Sequence, residues 1–94
     1  MPVKKSLLII VYGRVQGVFF RDYIRRNAIY LDITGYVQNT ADGKSVEIHV
    51  EGLEEQLNRL LEYARVGPTA AKVENISVKW SKYTGKFKSF EIIR

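Results

Sequence analysis

The segment from Gly13 to Arg21 has the residue types that could hold a phosphate-like anion. Gly13 and Gly17 permit backbone conformations that other residues avoid, so successive N–H groups can converge on one point, where a following helix adds the positive end of its dipole. Arg21 would lie in the first turn of that helix, and its planar guanidinium can bind two phosphoryl oxygens at once. Glycines are also frequent in ordinary strand-to-helix turns, and on these residues alone a structural loop with a solvent-exposed arginine is the commoner outcome.

The chemistry of this loop depends on a strand before it and a helix after it. Ser6 to Tyr12 is predicted to be a buried strand, because its apolar residues are contiguous and largely β-branched and because Gly13 follows them. After a loop that ends near Phe19, apolar residues recur at helical spacing and predict an amphipathic helix. This apolar stripe consists of Phe20, Ile24, Ala28 and Leu31.

The next two predicted elements form a hairpin. Ile33 to Asn39 has strand character, and the turn residues Ala41 to Gly43 lead into a second strand from Val46 to Val50. In that second strand apolar and polar residues alternate, which predicts one buried face and one solvated face. The solvated face is expected to carry Glu47, His49 and Glu51.

The rest of the chain predicts one more helix and two strands. A helix with Glu54 and Glu55 in its first turn is expected to end at Gly67 and Pro68. Strands follow at Val73 to Ser81 and at Phe87 to Ile93, and Trp80 is expected to pack in the core. The whole chain, residues 1–94, then forms a single α+β domain of the ferredoxin-like, split βαβ type. In this arrangement, βαββαβ plus a short C-terminal strand, two helices cover one face of an antiparallel sheet.

Two stretches of the sequence resemble signatures of the acylphosphatase family. Val15-Gln16-Gly17-Val18, with Gly13, Phe20 and Arg21 around it, closely matches the first signature. Gly35-Tyr36-Val37-Gln38-Asn39 followed by Asp42-Gly43 is similar to the second, and the resemblance continues over essentially the whole chain. One departure is that Lys44 and Ser45 separate Gly43 from Val46, where the family has a single residue. We expect a hairpin tip one residue longer, with the placement of Asn39 unchanged.

The resemblance implies a metal-free hydrolase that cleaves carboxyl phosphate anhydrides and needs no cofactor. It assigns two catalytic side chains: Arg21 binds the phosphoryl group, and Asn39 orients the attacking water. A carboxylate leaving group has a reference pKa near ~4 and can depart without a general acid. The implied phosphate-binding backbone runs through Arg14, Val15, Gln16, Gly17, Val18, Phe19 and Phe20, and the side chain of Arg14 is expected to point outward.

Composition narrows the functional classes. There is no cysteine, which excludes disulfides, thiolate metal sites and a cysteine nucleophile. Fifteen Lys and Arg against ten Asp and Glu give a net charge of +5, which favours an anionic partner without choosing among nucleic acid, acidic lipid and a small phosphorylated molecule. With no signal peptide or membrane span expected, we predict a cytoplasmic monomer that acts on a small acyl phosphate and binds neither nucleic acid nor membrane.

Two alternatives come from other classes of protein. RNA recognition modules share this topology, but the strand from Ser45 to Glu51 is acidic and lacks their stacking aromatic pattern. The chain could also be an isolated acylphosphatase-like domain of a larger carbamoyl-transferring protein.

Gly43-Lys44-Ser45 imitates the end of a P-loop, but Gln38 stands where the first glycine is required. His49, the single histidine, is expected to be solvated rather than a metal ligand.

Overall fold

A computed structural model describes residues 2–93 and contains the predicted elements in the predicted order. The first strand extends further in both directions than the apolar run alone indicated, because flanking polar residues join its ladders. The elements are β1 (Lys4–Arg14), α1 (Phe20–Tyr30), β2 (Thr34–Asn39), β3 (Ser45–Leu53), α2 (Glu54–Val66), β4 (Lys72–Lys82) and β5 (Phe90–Ile93).

The strands form a five-stranded sheet in the order β4-β1-β3-β2-β5. The four longer strands pair antiparallel, and β1 lies between β3 and β4. The short β5 joins β2 in parallel, with Val37 opposite Ile92. The expected hairpin between β2 and β3 is confirmed, and Asn39 pairs with Val46 in unbroken register, so the longer tip does not displace it.

Both helices cover one face of the sheet, as the apolar stripes predicted. Phe20, Ile24 and Ala28 of α1 are buried, and so are four residues of α2. The Tyr23 hydroxyl donates to the Tyr63 main-chain carbonyl at 2.8 Å and ties the two helices together. Burial of an aliphatic or aromatic side chain contributes about 1.5–3 kcal/mol, so this face supplies the main stabilisation. Its central strand residues are Leu7, Ile9, Val11, Val37, Val46, Ile48 and Val50.

The opposite face of the sheet is less solvated than the alternation in β3 predicted. The connection between β4 and β5 crosses this face, so the expected strand from Phe87 begins only at Phe90. Glu51, predicted to be solvated, is buried and accepts hydrogen bonds from the Thr84 main chain and side chain and from the Gly85 main chain. The prediction for Glu51 was wrong because the sequence pattern of one strand does not show what covers it.

His49 is likewise not a solvated residue. Its ring is half-buried, with its centroid 5.2 Å from that of Phe87 and 5.8 Å from that of Tyr36, both in edge-on contacts. Its ring nitrogen Nε2 lies 3.2 Å from the Ser6 hydroxyl. Burial, with a smaller effect of the Lys86 charge, lowers the pKa of His49 below its usual value.

The expectation of a core position for Trp80 was wrong. Trp80 pairs with Leu7 and therefore shares its helix-covered face, but it lies near the end of an edge strand and is 36% exposed. The Lys5 ammonium lies 5.9 Å from the Trp80 ring centroid. Within residues 2–93, neither helix is both long enough and apolar enough to cross a bilayer.

Candidate active site

The loop between β1 and α1 is shorter than the phosphate-binding segment assigned from sequence. Strand β1 includes Arg14, whose side chain is exposed, and Phe20 is the first residue of α1, so the connection is residues 15–19. The strand reaches this loop through an irregularity between Tyr12 and Gly13. At Gly13, with φ of 133°, a Cβ would lie 2.2 Å from the main-chain oxygen of Lys72, so only glycine allows this approach.

The N-terminus of α1 presents unused donors. The first main-chain hydrogen bond of the helix is from the Tyr23 N–H to the Phe19 carbonyl, at 3.0 Å. The N–H groups of Phe20, Arg21 and Asp22 therefore have no acceptor within the helix, and no side chain among residues 2–93 caps them. These groups and the helix dipole create a positive field at the end of the loop.

Phe19, the N-cap residue, has a left-handed conformation with φ of 62° and ψ of 24°. For a residue with a bulky side chain this conformation costs on the order of 1–2 kcal/mol. Phe19 is 81% exposed, so core packing does not offset that cost. Strain of this kind is concentrated at functional sites.

Gln16 has a side-chain role that the sequence did not reveal. Its Nε2 donates to the main-chain oxygens of Thr40 and Ser45, at 3.0 and 2.8 Å. The Gly13 N–H also donates to the Lys44 carbonyl, at 3.1 Å. The loop is thus fastened to the tip of the β2–β3 hairpin, and the additional tip residue takes part in the contact.

Asn39 is the last residue of β2 and lies on the same face of the sheet as the buried Val37. Among residues 2–93, its Oδ1 is a buried side-chain atom without a hydrogen-bond partner. The following turn is held by other groups: the Asp42 carboxylate accepts from the Thr40 hydroxyl and the Lys44 N–H, each at 2.7 Å. These bonds, the Thr40 one first, lower the pKa of Asp42. The turn therefore does not use Asn39 Oδ1, which keeps an unfilled hydrogen-bonding capacity within residues 2–93.

The loop, the start of α1 and the end of β2 enclose a cavity of about 360 Å³. Both side chains assigned a catalytic role, Arg21 and Asn39, line it. Arg14, Gln16 and Val18, assigned from sequence to phosphate binding, are not on its wall, and the side chain of Val15 is buried in the core. The wall is formed by Val15, Gly17, Phe19, Phe20, Arg21, Asp22, Asn39 and Ile92.

Sequence reasoning missed two residues of this wall. Asp22 follows Arg21 directly, and its carboxylate lies 3.1 Å from Nε of Arg26, so its charge is partly balanced by a residue one turn along. Ile92 comes from β5, at the other end of the chain, and no local pattern connects it to the loop. Only the pairing of β5 with β2 brings it to the cavity.

The cavity combines donors for an anion with an acceptor for a neutral molecule. Arg21 and the helix N–H groups suit phosphoryl oxygens, whereas the Asn39 carbonyl oxygen suits a donor such as water. Within residues 2–93, no three His, Asp or Glu side chains converge as a set of metal ligands. Fold and site together define a small α+β protein with a cavity lined by an arginine, the start of a helix and an amide side chain.

Comparisons with known proteins agree with this geometry. Residues 7–92 match the sequence profile of the family described as Acylphosphatase. The acylphosphatase of Pyrobaculum aerophilum is 44% identical over 85 residues, which are 90% of this chain and 90% of that protein. The acylphosphatase structure from Bacillus subtilis has a TM-score of 0.91 and 38% identity, covering 96% of this chain and 99% of that one. This chain belongs to the acylphosphatase family.

A larger protein contains a similar unit. The structure of full-length HypF in a phosphate- and nucleotide-bound form has a TM-score of 0.89 and 25% identity to this chain. The match covers the whole of this chain and only 12% of the length of HypF. The same fold therefore also occurs inside a much longer polypeptide.

Proposed function

We propose that this protein hydrolyses acyl phosphates to a carboxylate and inorganic phosphate at the cavity between the loop and Asn39. The observation that carries the proposal is that Asn39, whose buried Oδ1 has no partner among the described residues, lines the same cavity as Arg21. An anion site beside an unused acceptor can bind a phosphoryl group and a water molecule together. Membership of the acylphosphatase family supports this chemistry.

The phosphoryl group is held by main-chain N–H groups of the loop and the α1 N-terminus, together with the Arg21 guanidinium. Charge on the phosphoryl oxygens is stabilised by donors that are already oriented before the substrate arrives, so little reorganisation is needed. The guanidinium can contact two oxygens at once and fixes their orientation. Positioning and charge stabilisation dominate phosphoryl transfer, and here the protein's own cations and amides provide both.

The water is oriented by a hydrogen bond that it donates to Asn39 Oδ1. Its oxygen attacks phosphorus in line with the acyl oxygen, and the bond between phosphorus and that oxygen breaks. The bonding electrons leave with the carboxylate, whose reference pKa near ~4 makes protonation unnecessary. The proton of the water passes to an oxygen of the transferred phosphate, so inorganic phosphate forms without a phosphoenzyme.

This reaction uses groups of the chain alone, so we propose that it proceeds without metal or cofactor. We propose the cytoplasm as its compartment and a monomer as the active form. The absence of cysteine fits a reducing environment.

The decisive experiment is phosphate release from acetyl phosphate by the purified protein, with and without a metal chelator. Turnover should persist in the chelator and should be weak or absent on phosphate monoesters, whose alkoxide leaving groups need protonation. Turnover that the chelator abolishes would contradict the metal-free mechanism. Absence of turnover on every acyl phosphate would contradict the function.

Arg21→Lys tests how the phosphoryl group is held. We expect the substitution to lower kcat/KM on the order of a hundredfold, because an ammonium retains the charge but not the two-pronged contact. Arg14→Ala is the comparison: its exposed side chain acts only through long-range attraction, so the loss should be far smaller and should shrink further in salt. Near-normal kinetics of Arg21→Lys would remove Arg21 from the site.

A further inference from the structure

Nothing in the folded chain by itself explains why residue 19 is a phenylalanine. Its left-handed backbone conformation is one that glycine and asparagine adopt readily and phenylalanine does not. The residue is 81% exposed, so it gains little from burial. A glycine or asparagine would suit this backbone better, which suggests that the ring interacts with something outside the folded chain.

The position of Phe19 shows where such a molecule would be. The residue lies on the wall of the cavity with Arg21 and Asn39, two positions before the arginine. Ile92, half-buried at the end of β5, is a second apolar residue on the same wall. The cavity volume of about 360 Å³ is at the lower end of the range for sites that enclose small organic ligands, so there is room for more than a phosphoryl group.

We propose that the Phe19 ring, with Ile92, contacts the acyl group of the substrate and makes the enzyme prefer acyl phosphates with an aromatic or bulky apolar acyl group. This inference rests on the proposed function. The scissile bond joins the acyl group to the phosphoryl group, so with the phosphoryl group held by the loop the acyl group lies in the cavity that Phe19 and Ile92 also line. An aromatic acyl group would pack on the Phe19 ring, whereas an acetyl group is too small to cover it.

The test compares benzoyl phosphate with acetyl phosphate in the wild type, Phe19→Asn and Phe19→Trp. Asparagine tolerates the left-handed backbone, so the loop geometry is kept while the ring is removed. The ratio of kcat/KM for the two substrates cancels any effect on the shared phosphoryl chemistry. We expect Phe19→Asn to lower the benzoyl-to-acetyl ratio about three- to tenfold, the range that one aromatic contact supports. Phe19→Trp should retain the ratio or raise it.

A matched control is Tyr30→Asn. Tyr30 is an equally exposed aromatic residue, at 77%, but it lies at the other end of α1 and away from the cavity, so its substitution should leave the ratio unchanged. Equal losses on both substrates in Phe19→Asn, or an unchanged ratio, would overturn the proposal while the acylphosphatase activity stands. Failure of the wild type to hydrolyse either substrate would instead overturn the proposed function, and the proposal with it.

Discussion

At the scale of single residues, Asn39 distinguishes this cavity from a simple anion site. A buried polar atom without a partner costs about 1–3 kcal/mol, and proteins retain such atoms mainly where a ligand or water uses them. Asn39 Oδ1 is such an atom among residues 2–93, and Asp42 and Thr40 hold the neighbouring turn without it. The unpaired oxygen destabilises the protein when no ligand is bound, and it does not help to hold the hairpin. This pattern favours a role for Asn39 in the reaction.

Asn39→Ala should reduce kcat roughly a hundredfold or more while inhibition by inorganic phosphate changes little, because the amide orients water and does not hold the phosphoryl group. The melting temperature should stay the same or rise, since the substitution removes an unpaired buried oxygen and breaks no hydrogen bond to Oδ1 within the described residues. Turnover, phosphate inhibition and melting on the same preparation check this. Asn58→Ala, an exposed amide on α2, is the matched control. A destabilised but fully active Asn39→Ala protein would show that the side chain serves the fold.

At the scale of elements, the geometry of the site depends on how the loop is fastened to the hairpin. The donors lie on the loop and α1, whereas Asn39 lies on β2, and the two Gln16 hydrogen bonds join these parts. The Gly13 N–H bond to Lys44 adds a third connection. Because all three end on the main chain of the hairpin tip, they constrain the distance between the phosphoryl site and the water.

Gln16→Ala should therefore impair both stability and turnover. Two side-chain hydrogen bonds are lost, which corresponds to about 1–3 kcal/mol, and kcat should fall at least about tenfold as the two halves of the site lose their alignment. Denaturant unfolding and steady-state kinetics measure the two effects. Gln38→Ala removes an amide that bonds to Glu47 on the opposite face, and it should keep kcat. Equal kcat in the two variants would contradict a positioning role for Gln16.

The order of the elements could be predicted because it depends on local periodicity. The stripe Phe20, Ile24 and Ala28 is buried as its spacing required, and Asn39 lies at the end of β2 despite the longer tip. The side-chain bonds of Gln16 and the place of Ile92 on the cavity wall could not be predicted, since each depends on contact between segments distant in sequence. The two signatures identify the loop and β2, but the wall of the cavity also requires β5.

At the scale of the whole molecule, one connection holds the two edges of the sheet together. The chain leaves β4 at one edge, crosses the face without helices, and enters β5 at the other edge, next to β2. Phe87 packs on His49 during this crossing, and Thr84 and Gly85 bond to the buried Glu51. Because β5 carries Ile92, this crossing also sets one wall of the cavity.

Glu51 makes the stability of this arrangement dependent on pH. Burial alone would raise the pKa of Glu51, but the hydrogen bonds from Thr84 and Gly85 to the carboxylate outweigh it and hold the pKa below its usual value of 4.5. A carboxyl group with a lower pKa in the folded state binds protons more readily when unfolded. Its contribution to stability is therefore complete above pH 4.5 and is lost as the pH falls through the lower folded-state value.

We expect the melting temperature of the wild type to fall more steeply below pH 4.5 than that of Glu51→Gln. At pH 7 the variant should be less stable by about 1–3 kcal/mol, because its amide nitrogen cannot accept a hydrogen bond where a carboxylate oxygen does. The difference should narrow as the pH falls below 4.5 and Glu51 itself takes up a proton. Melting curves between pH 3 and pH 7 measure both effects, and Glu55→Gln, an exposed carboxyl on α2, should follow the wild-type profile. Parallel profiles for wild type and Glu51→Gln would show that the hydrogen bonds from Thr84 and Gly85 do not favour the charged form of Glu51.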